Sequence, residues 1–407
     1  MSTQAARSIR FTHTFPQQGF RLLELPPEML ELLSKEDAPV YVGPYTPFPA
    51  CFWLMHPSLR FHLKSPSSDL SQVTAEPGAR EYVNLCSATQ TFRIRQVQSS
   101  NSIHILRPTD GNTQSNDNGV ENGELDLSET VTTVAKCGST LELHVPPGGF
   151  SAVPFLEKAL RLYDRLNWDG DVSMRSAGTE MTPAERRRLK EKLFADIPVS
   201  TAQCQSGWDE LCAFVHGDDT GNDQAVCWRP SARVKMAVWK RMLEGSVLQG
   251  IDMEKQFLAA DLWKAVLDEG DEEPFPRALF DAVLRRLLES PGADGSEVKW
   301  ANFDKDVCTR WVGETYLEAL APTASAAAVR TDFLNAWKDH LPESWRSEAS
   351  LSALTDGSYK TTDPTTIYFV SYAERVKMKS NALNGAGAAT AKNSRNWHER
   401  FRSQRRQ

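Results

Sequence analysis

The hydrophobic period of this chain changes once, near residue 150, and this change constrains the fold more than any other feature. Before it, from Leu59 to Val145, apolar and polar residues alternate over short runs, as in half-buried β-strands. After it, from Ser151 onward, apolar residues recur every three or four positions, as in amphipathic helices. The sequence therefore predicts an α+β fold, with an N-terminal β-domain at residues 1–150 and helical domains after it.

The predicted β-domain is a small antiparallel sheet. A short helix, Pro27 to Ser34, precedes it, and a Gly/Asn/Asp/Ser-rich loop, Thr109 to Asn122, interrupts it and is predicted to be disordered. Short polar strands bury little apolar surface, so we expect this sheet to be more stable when paired with another chain. The apolar runs that predict strands are Leu59-Phe61-Leu63, Val83-Leu85, Phe92-Ile94, Ile103-Ile105 and Leu141-Leu143-Val145.

A polar stretch, Gln96 to Ser102, separates two of these apolar runs. It contains no Gly or Pro and lacks the Asn-Gly or Asp-Gly of a tight hairpin. On these residues alone, two interpretations remain: a catalytic loop, or a strand edge kept for a partner chain.

The helical region repeats a pattern of helices followed by a strand-like run. The runs are Ala225 to Arg229, Val298 to Trp300 and Ile367 to Val370. This layout is typical of tandem winged-helix domains. The predicted boundaries are a helical linker at 151–180, winged helices at 181–231, 232–303 and 304–371, and a basic tail at 372–407.

Capping signals and periodicity place several helices. Thr182 with Glu185, and Ser200 with Gln203, are capping boxes that predict helix starts. Apolar residues from Phe155 to Leu166 predict a connecting helix, and Arg346 to Leu354 is the candidate third helix of the last domain.

The candidate third helices indicate what these domains can contact. Pro276 to Leu288 is mostly apolar, has no Asn or Gln for base edges, and is predicted to be core. The last domain has Arg346, Lys360 in its predicted hairpin turn, and a tail with nine basic and two acidic residues. The tail is thus +7 in a chain of −7, which leaves −14 elsewhere. A solvated disordered tail is the alternative interpretation.

We predict contact with single- and double-stranded DNA without sequence specificity, because these cations suit phosphates and lack a base-reading pattern. The DNA-binding candidates are Arg346, Lys360, Arg375, Lys377, Lys379, Lys392, Arg395, Arg400, Arg402, Arg405 and Arg406.

No catalytic, metal or cofactor motif emerges. The seven cysteines form no Cys-x-x-Cys pair and are predicted to be buried thiols of an intracellular protein. No apolar run is long enough for a membrane span. Asp218, Asp219 and Asp223 lack the Glu that closes a calcium loop, and His62, His104 and His144 are favoured as sheet-surface residues. The tryptophans at helical spacing are predicted to be core.

Several segments resemble the sister chromatid cohesion protein Dcc-one family. They cover most of the chain in the right order. They are Leu22 to Leu30, TFRIRQVQSSNS at Thr91 to Ser102, VAKCGSTLELHVPP at Val134 to Pro147, FDKDVCTRWVGETYL at Phe303 to Leu317, and FLNAWKDHLP at Phe333 to Pro342.

This resemblance implies a non-catalytic nuclear subunit of an alternative replication factor C clamp loader that acts on PCNA. Its implied partners are Ctf-eighteen and Ctf-eight type subunits, which complete a shared barrel with the β-domain, and the catalytic subunit of DNA polymerase epsilon. ATP hydrolysis would belong to the partner subunits. The polar stretch then lies in a sheet completed by other chains. The partner-binding candidates are Phe92, Ile94, Val97, Asn101, Ile103 and Ile105.

Two other classes remain as alternatives: a stand-alone winged-helix regulator of DNA and an enzyme of unknown chemistry. One segment departs from the family pattern. Residues 41–58, rich in Pro and aromatic residues, separate the first helix from the first strand. We hypothesise a translated intron there, with an exposed partner-binding loop as the alternative.

Overall fold

The chain forms two compact units, and each is described by itself. In this computed structural model the described residues up to Gly149 belong to the first unit, and those from Phe150 onward belong to the second. The described residues are 10–13, 19–27, 29–30, 41–44, 52–56, 59–65, 83–110, 129–146, 149–165, 181–217, 225–267, 273–289, 298–376 and 378.

The first unit is a mixed β-sheet. Its strands are β1 (Arg10–His13), β2 (Leu22–Glu24), β3 (Tyr41–Pro44), β4 (Phe52–His56), β5 (Leu59–Lys64), β6 (Asn84–Cys86), β7 (Thr91–Asp110) and β8 (Glu129–His144). They are ordered β1-β8-β7-β6-β5-β4-β3, and β2 also pairs with β8. The described strands do not close into a barrel.

The prediction of an antiparallel sheet is correct for β3 to β8 and wrong for β1 and β2, which both run parallel to β8. Parallel partners are joined by long connections rather than by a hairpin turn, so no local sequence signal marks them.

The core that the described residues of the first unit form lies on one face of its sheet. It consists of the buried side chains Phe61, Leu85, Phe92 and Leu143, with Met29 packed against them. Leu85 lies directly opposite Phe92 on the neighbouring strand, so the alternation read from the sequence places both on the same face.

Two predictions for this unit fall on sparsely described segments. Strands β3 and β4 lie within residues 41–58 and pair with each other, and β4 pairs with β5. Whether that segment exists in the mature protein stays a prediction. Thr109 and Asp110, placed in the predicted loop 109–122, end β7 opposite β8, and residues 111–122 lie outside the described residues.

The second unit contains eight helices and three small sheets in its described part. The helices are α1 (Val153–Ala159), α2 (Pro183–Asp196), α3 (Thr201–Glu210), α4 (Ala232–Gln249), α5 (Ala259–Val266), α6 (Arg277–Leu287), α7 (Lys305–Leu320) and α8 (Arg330–Asp339). The strands are β9 (Arg161–Tyr163), β10 (Phe214–Gly217), β11 (Ala225–Pro230), β12 (Phe257–Leu258), β13 (Trp300–Ala301), β14 (Ala328–Val329), β15 (Tyr359–Asp363) and β16 (Thr366–Phe369).

These elements repeat the order helix, strand, helix and closing strands. The sheets are β10-β11-β9, β12-β13 and β14-β16-β15. In each, the strand after the first helix pairs with the last strand of its repeat, in parallel for β9 and β11 and antiparallel in the other two. Each of the three strand-like runs predicted from the sequence therefore contributes to a strand that closes a group of helices. The division into three domains stays a prediction.

The predicted helix from Phe155 to Leu166 is wrong beyond Ala159. Leu160 is extended, and the chain continues as β9 beside β11. Tyr163 is buried there, with ring centroids 5.3 Å from Phe214 and 5.8 Å from Trp228. Residues 153–163 thus belong to the first repeat rather than to a helical linker, and residues 166–180 lie outside the described residues.

The predicted helix from Arg346 to Leu354 is also wrong. Two 3₁₀ turns, Glu343–Glu348 and Leu351–Ala353, occupy this stretch, separated by extended Ala349. Trp345 anchors the first turn: it is buried, and its indole N–H donates to Glu254 at 3.1 Å. This anchoring holds the chain in short turns.

One continuous hydrophobic core runs from Tyr163 to Ile367 and joins the second and third repeats, and a separate core, from Ala152 to Val215, lies within the first. Trp239 on α4 is fully buried and donates to the carbonyl of His340, just after α8, at 2.7 Å. Val234, Val238 and Met242, predicted as one stripe, are buried on α4. The second and third repeats therefore pack as one body.

Close packing of α7 against α8 gives a stability prediction. A Cβ added at Gly313 would lie 2.5 Å from the Trp337 ring and 2.9 Å from Leu354 Cδ2, and both side chains are buried. We expect Gly313→Ala to lower the free energy of unfolding by about 2 kcal/mol in urea denaturation. Gly217→Ala, with no atom within 4 Å, is the control and should change it by less than about 0.5 kcal/mol. Equal stabilities would contradict this packing.

A half-buried carboxyl group on α1, that of Glu157, gives a pH prediction. Burial raises the pKa of Glu157 above its ordinary value, although Arg229 opposes the shift. The fold thus favours the protonated form, and the stability this group contributes is lost as the pH rises from the ordinary pKa of 4.5 through the raised one. We expect Glu157→Gln to be more stable than the parent at pH 7, with the difference vanishing near about pH 4. A variant less stable at pH 7 would show that the Arg229 attraction dominates.

Candidate partner and nucleic-acid interfaces

The polar stretch from Gln96 to Ser102 lies inside β7 rather than in a loop. Its first three residues pair regularly with β8, and its last four form a bulge. Gln98 lies opposite Ser139 and Ile103 lies opposite Cys137, so residues 99–102 face the single residue Gly138. Such a bulge bends and twists the strand without ending its pairing.

In the part of the chain that the structure describes, few residues pair with the outer edge of β7. Its β8 side is paired along almost the whole strand, but β6 pairs only with Thr91 to Arg93. Beyond the bond from Ile94 to Val83, no other described strand lies beside β7. An edge of this length offers unpaired main-chain donors and acceptors to a strand from another chain.

The six partner-binding candidates differ in burial. Phe92 is 4% exposed and belongs to the core of its own unit. Ile94 is half-buried at the border of that core, and Val97 and Ile105 are half-buried. Asn101 is exposed, and so is Ile103, at 44%. A polar substitution at Phe92 therefore tests folding first, while the partner role of the other five stays a prediction.

Two exposed apolar residues of this sheet were not predicted from the sequence, one on β7 itself and one on β1, which lies on the far side of β8. Phe11 on β1 is 52% exposed and Leu106 on β7 is 47% exposed. The Phe11 ring lies 5.0 Å from the His13 ring and 6.4 Å from the His104 ring. The alternation of Phe11 and His13 with polar neighbours is the signal that would have found this strand.

The opposite end of the β7 and β8 pair is polar. The Arg95 guanidinium donates from Nε at 2.8 Å and from Nη2 at 2.6 Å to one carboxylate oxygen of Glu142. Burial, with Arg95 and Arg93 nearby, lowers the pKa of His144, so this imidazole stays neutral at pH 7. His62 lies opposite Cys86, His144 opposite Arg93 and His104 opposite Lys136, on separate cross-strand rows.

Two predicted DNA-binding residues lie in the third repeat. Arg346 is exposed on the first 3₁₀ turn, and its Nε donates to the Leu341 carbonyl at 3.4 Å. Lys360 is exposed on β15 opposite Tyr368, so its prediction as a turn residue is wrong. Asp363 closes the turn by accepting from Thr365 and Thr366. Lys360 also lines an open cleft of about 500 Å³ beside the Gly357 turn.

Arg375 is the predicted tail cation that the structure places best. It is half-buried, its guanidinium lies 5.7 Å from the Tyr372 ring centroid, and its backbone N–H donates to the Ser371 carbonyl. Ser371 and Glu374 bond reciprocally and start this last turn. The other predicted cations, Lys377, Lys379, Lys392, Arg395, Arg400, Arg402, Arg405 and Arg406, lie outside the described side chains.

A basic cluster on α2 was missed by the sequence interpretation. Arg186, Arg187 and Arg188 are consecutive and exposed. The sequence shows this run of arginines, but only the helix that contains it was predicted, from its capping box.

Several structural predictions are confirmed in the described residues. On α6 the apolar face is buried, at Leu279, Phe280 and Val283 among others. The described cysteines are buried, apart from half-buried Cys227. Burial raises the pKa of the Cys212 thiol to about 11.

The described residues contain no cluster of His, Cys, Asp or Glu suited to a metal ion. Among the helices described, none is both long and apolar enough to cross a bilayer.

Comparison with protein families identifies the chain. The family described as sister chromatid cohesion protein Dcc1 matches residues 20–380, which span both units. A search of curated proteins gave no significant match. The match covers nearly the whole chain and includes β7, its bulge and all three helical repeats. The chain therefore belongs to the Dcc1 family of sister chromatid cohesion proteins, which is associated with the Ctf-eighteen clamp-loader complex.

Proposed function

We propose that this protein is a non-catalytic nuclear subunit of an alternative clamp loader that acts on PCNA at replication forks. In this role it links the loader to DNA and to DNA polymerase epsilon, and so supports sister chromatid cohesion. The observation that carries the proposal is the combination of a nearly full-length family match with the open outer edge of β7.

The β-unit is proposed as the assembly module. Strand addition along β7 would satisfy its outer main-chain groups and cover Ile103 and Leu106, which are exposed in the single chain. A Ctf-eight or Ctf-eighteen type strand is the proposed occupant, so a shared barrel would form only in the complex. The described core of this unit has few members, which supports the proposal, because a sheet with a small core gains stability from a partner.

The helical repeats are proposed as three winged helices. In the third repeat, helix α7, the short strand β14 and helix α8 precede the β15–β16 hairpin, and β14 pairs with β16. The hairpin would be the wing. Where a winged helix has its third helix, the third repeat has 3₁₀ turns. The second repeat has α6 there, and the apolar face of α6 is buried. Neither presents a polar helix to a groove, so contact with DNA would be through phosphates and independent of sequence.

Purification of the tagged chain from its own cells tests the proposal. Co-elution with Ctf-eighteen and Ctf-eight type subunits at equal stoichiometry, and with DNA polymerase epsilon at low salt, is the expected result. A lone homodimer would contradict the proposal and favour the alternative of a stand-alone winged-helix regulator.

A further inference from the structure

A cleft in the third repeat lies beside the last described turn of the chain. It has a volume of about 500 Å³, within the range of about 300 to 1,000 Å³ that is typical of ligand pockets. Its apolar lining comes from Leu351, Leu354 and Tyr359. Gly357 also lines it, and a Cβ added there would lie 3.9 Å from Cγ and Cδ of Arg375. Because the described residues end at Met378, soon after Arg375, the segment that follows begins close to the cleft.

The charges around the cleft favour a cationic occupant. Asp356 lines it, and the Glu314 carboxylate accepts from the backbone N–H of Thr355, another lining residue, at 2.7 Å. Lys360 is the cation of the lining, and it is exposed. The cleft thus combines apolar side chains with carboxylates that outnumber its ammonium group, which suits a segment with both aromatic and basic side chains.

The segment after Met378 contains such side chains. Residues 379–407 include two large aromatic residues, Trp397 and Phe401, and one acidic residue, Glu399. The arginines that flank the aromatic pair are Arg395, Arg400 and Arg402. Residues four positions apart lie on the same side of a helix and also of a strand, so both rings can enter one cleft in either conformation.

The length of this segment allows the aromatic pair to reach back to the cleft. Nineteen positions separate Met378 from Trp397, which corresponds to about 60 Å of fully extended chain. Much less is needed, because the cleft lies next to Arg375. A segment tethered to the same chain has an effective concentration on the order of millimolar, so even a weak contact forms within one molecule.

Contact with DNA phosphates does not account for the aromatic pair, because phosphates select cations alone. Stacking on single-stranded bases is the competing use of the two rings. The chain's own cleft is favoured, because its apolar lining, its carboxylates and its position all match this segment. We propose that residues 395–402 dock in the cleft, with Trp397 and Phe401 against its apolar lining and the arginines beside Asp356 and Glu314. The proposal does not depend on DNA binding by the tail or on assembly through the β-unit.

The test uses a double variant of the full chain, Trp397→Ala with Phe401→Ala, which removes the proposed occupant from the cleft. The probe is a labelled peptide of residues 392–407, and the matched probe is the same peptide with both aromatic residues replaced by Ala, so that its charge is identical. A cleft variant adds two changes at exposed lining residues, Ser352→Arg and Thr361→Arg. Its control adds the same charge at exposed residues that do not line the cleft, Thr331→Arg and Ser347→Arg. Thermal melting checks that every variant folds.

By fluorescence anisotropy, we expect the aromatic peptide to bind the double variant about tenfold or more tightly than the Ala peptide does. The cleft variant should raise its Kd about tenfold or more, and the control less than about threefold. The unaltered chain should bind it about fivefold or more weakly than the double variant, because its own tail competes.

Equal binding of the two peptides would show charge attraction alone and would overturn the proposal. If the double variant also lost affinity for a single-stranded DNA probe, that result would assign the aromatic pair to stacking on bases. Aromatic-dependent binding that the cleft variant leaves unchanged would place the site elsewhere and would overturn the proposal too. So would equal affinities of the unaltered chain and the double variant for the aromatic peptide.

Discussion

Phe92→Asp is expected to unfold the β-unit while leaving the helical unit folded. Phe92 is 4% exposed and contacts a core with few other buried members. Losing a buried Phe costs about 3 to 5 kcal/mol, and an unpaired buried carboxylate adds to that. This loss approaches the whole stability of a small unit. Hydrogen exchange of the β7 and β8 amides should become fast throughout, while thermal melting of the helical unit should not change.

Ile103→Asp is the matched variant for the same strand. Ile103 is 44% exposed and lies just after the bulge, so a carboxylate there stays in water and the fold is retained. If the open edge of β7 is the assembly surface, this variant should fail to co-purify with the partner subunits. Normal co-purification of a folded Ile103→Asp protein would place the interface elsewhere.

Truncation after Met378 is expected to weaken DNA binding without changing partner assembly. It removes seven cations: Lys379, Lys392, Arg395, Arg400, Arg402, Arg405 and Arg406. Each phosphate contact on a duplex contributes about 0.9 to the slope of log K against log salt, so losing about four contacts should reduce the slope by about 3.6 and the low-salt affinity by about 100-fold. Fluorescence anisotropy with duplex and single-stranded probes at two salt concentrations measures both quantities.

The truncated chain keeps the elements that hold the third repeat together. Val370 is buried, its N–H donates to the Ser358 carbonyl, and the Ser371 and Glu374 cap remains. The loss should be similar for unrelated sequences, since phosphates carry no base code. An unchanged affinity would show that the DNA contact lies within residues 1–378. A strong preference for one DNA sequence would favour the alternative of a stand-alone winged-helix regulator.

Local signals account for what the sequence predicted well. The capping boxes at Thr182 and Ser200 are both present, because each needs only residues within one turn. The α4 stripe and the apolar α6 face are likewise set by periodicity within a single element. The basic tail was evident from residue types alone.

Non-local pairing accounts for the elements that the sequence did not predict. Strand β9 was read as helix because its pairing with β11 joins residues more than sixty positions apart. The 3₁₀ turns around Trp345 depend on a bond to Glu254, ninety-one positions earlier.

Non-local pairing also limited the prediction of the partner-binding residues. Phe92 and Ile103 look alike in a pattern of alternation, yet one is core and the other is exposed. The four-residue bulge between them interrupts the register with β8, and strand alternation does not reveal it.

Hydrogen exchange of the full chain, alone and bound to Ctf-eight and Ctf-eighteen type subunits, tests the central claim most directly. Binding is expected to slow exchange along the outer edge of β7, from Arg95 to Arg107, because new main-chain bonds form there. Amides of α4 to α8 should keep their rates. Protection confined to the helical repeats, with β7 unchanged, would contradict assembly through the β-unit.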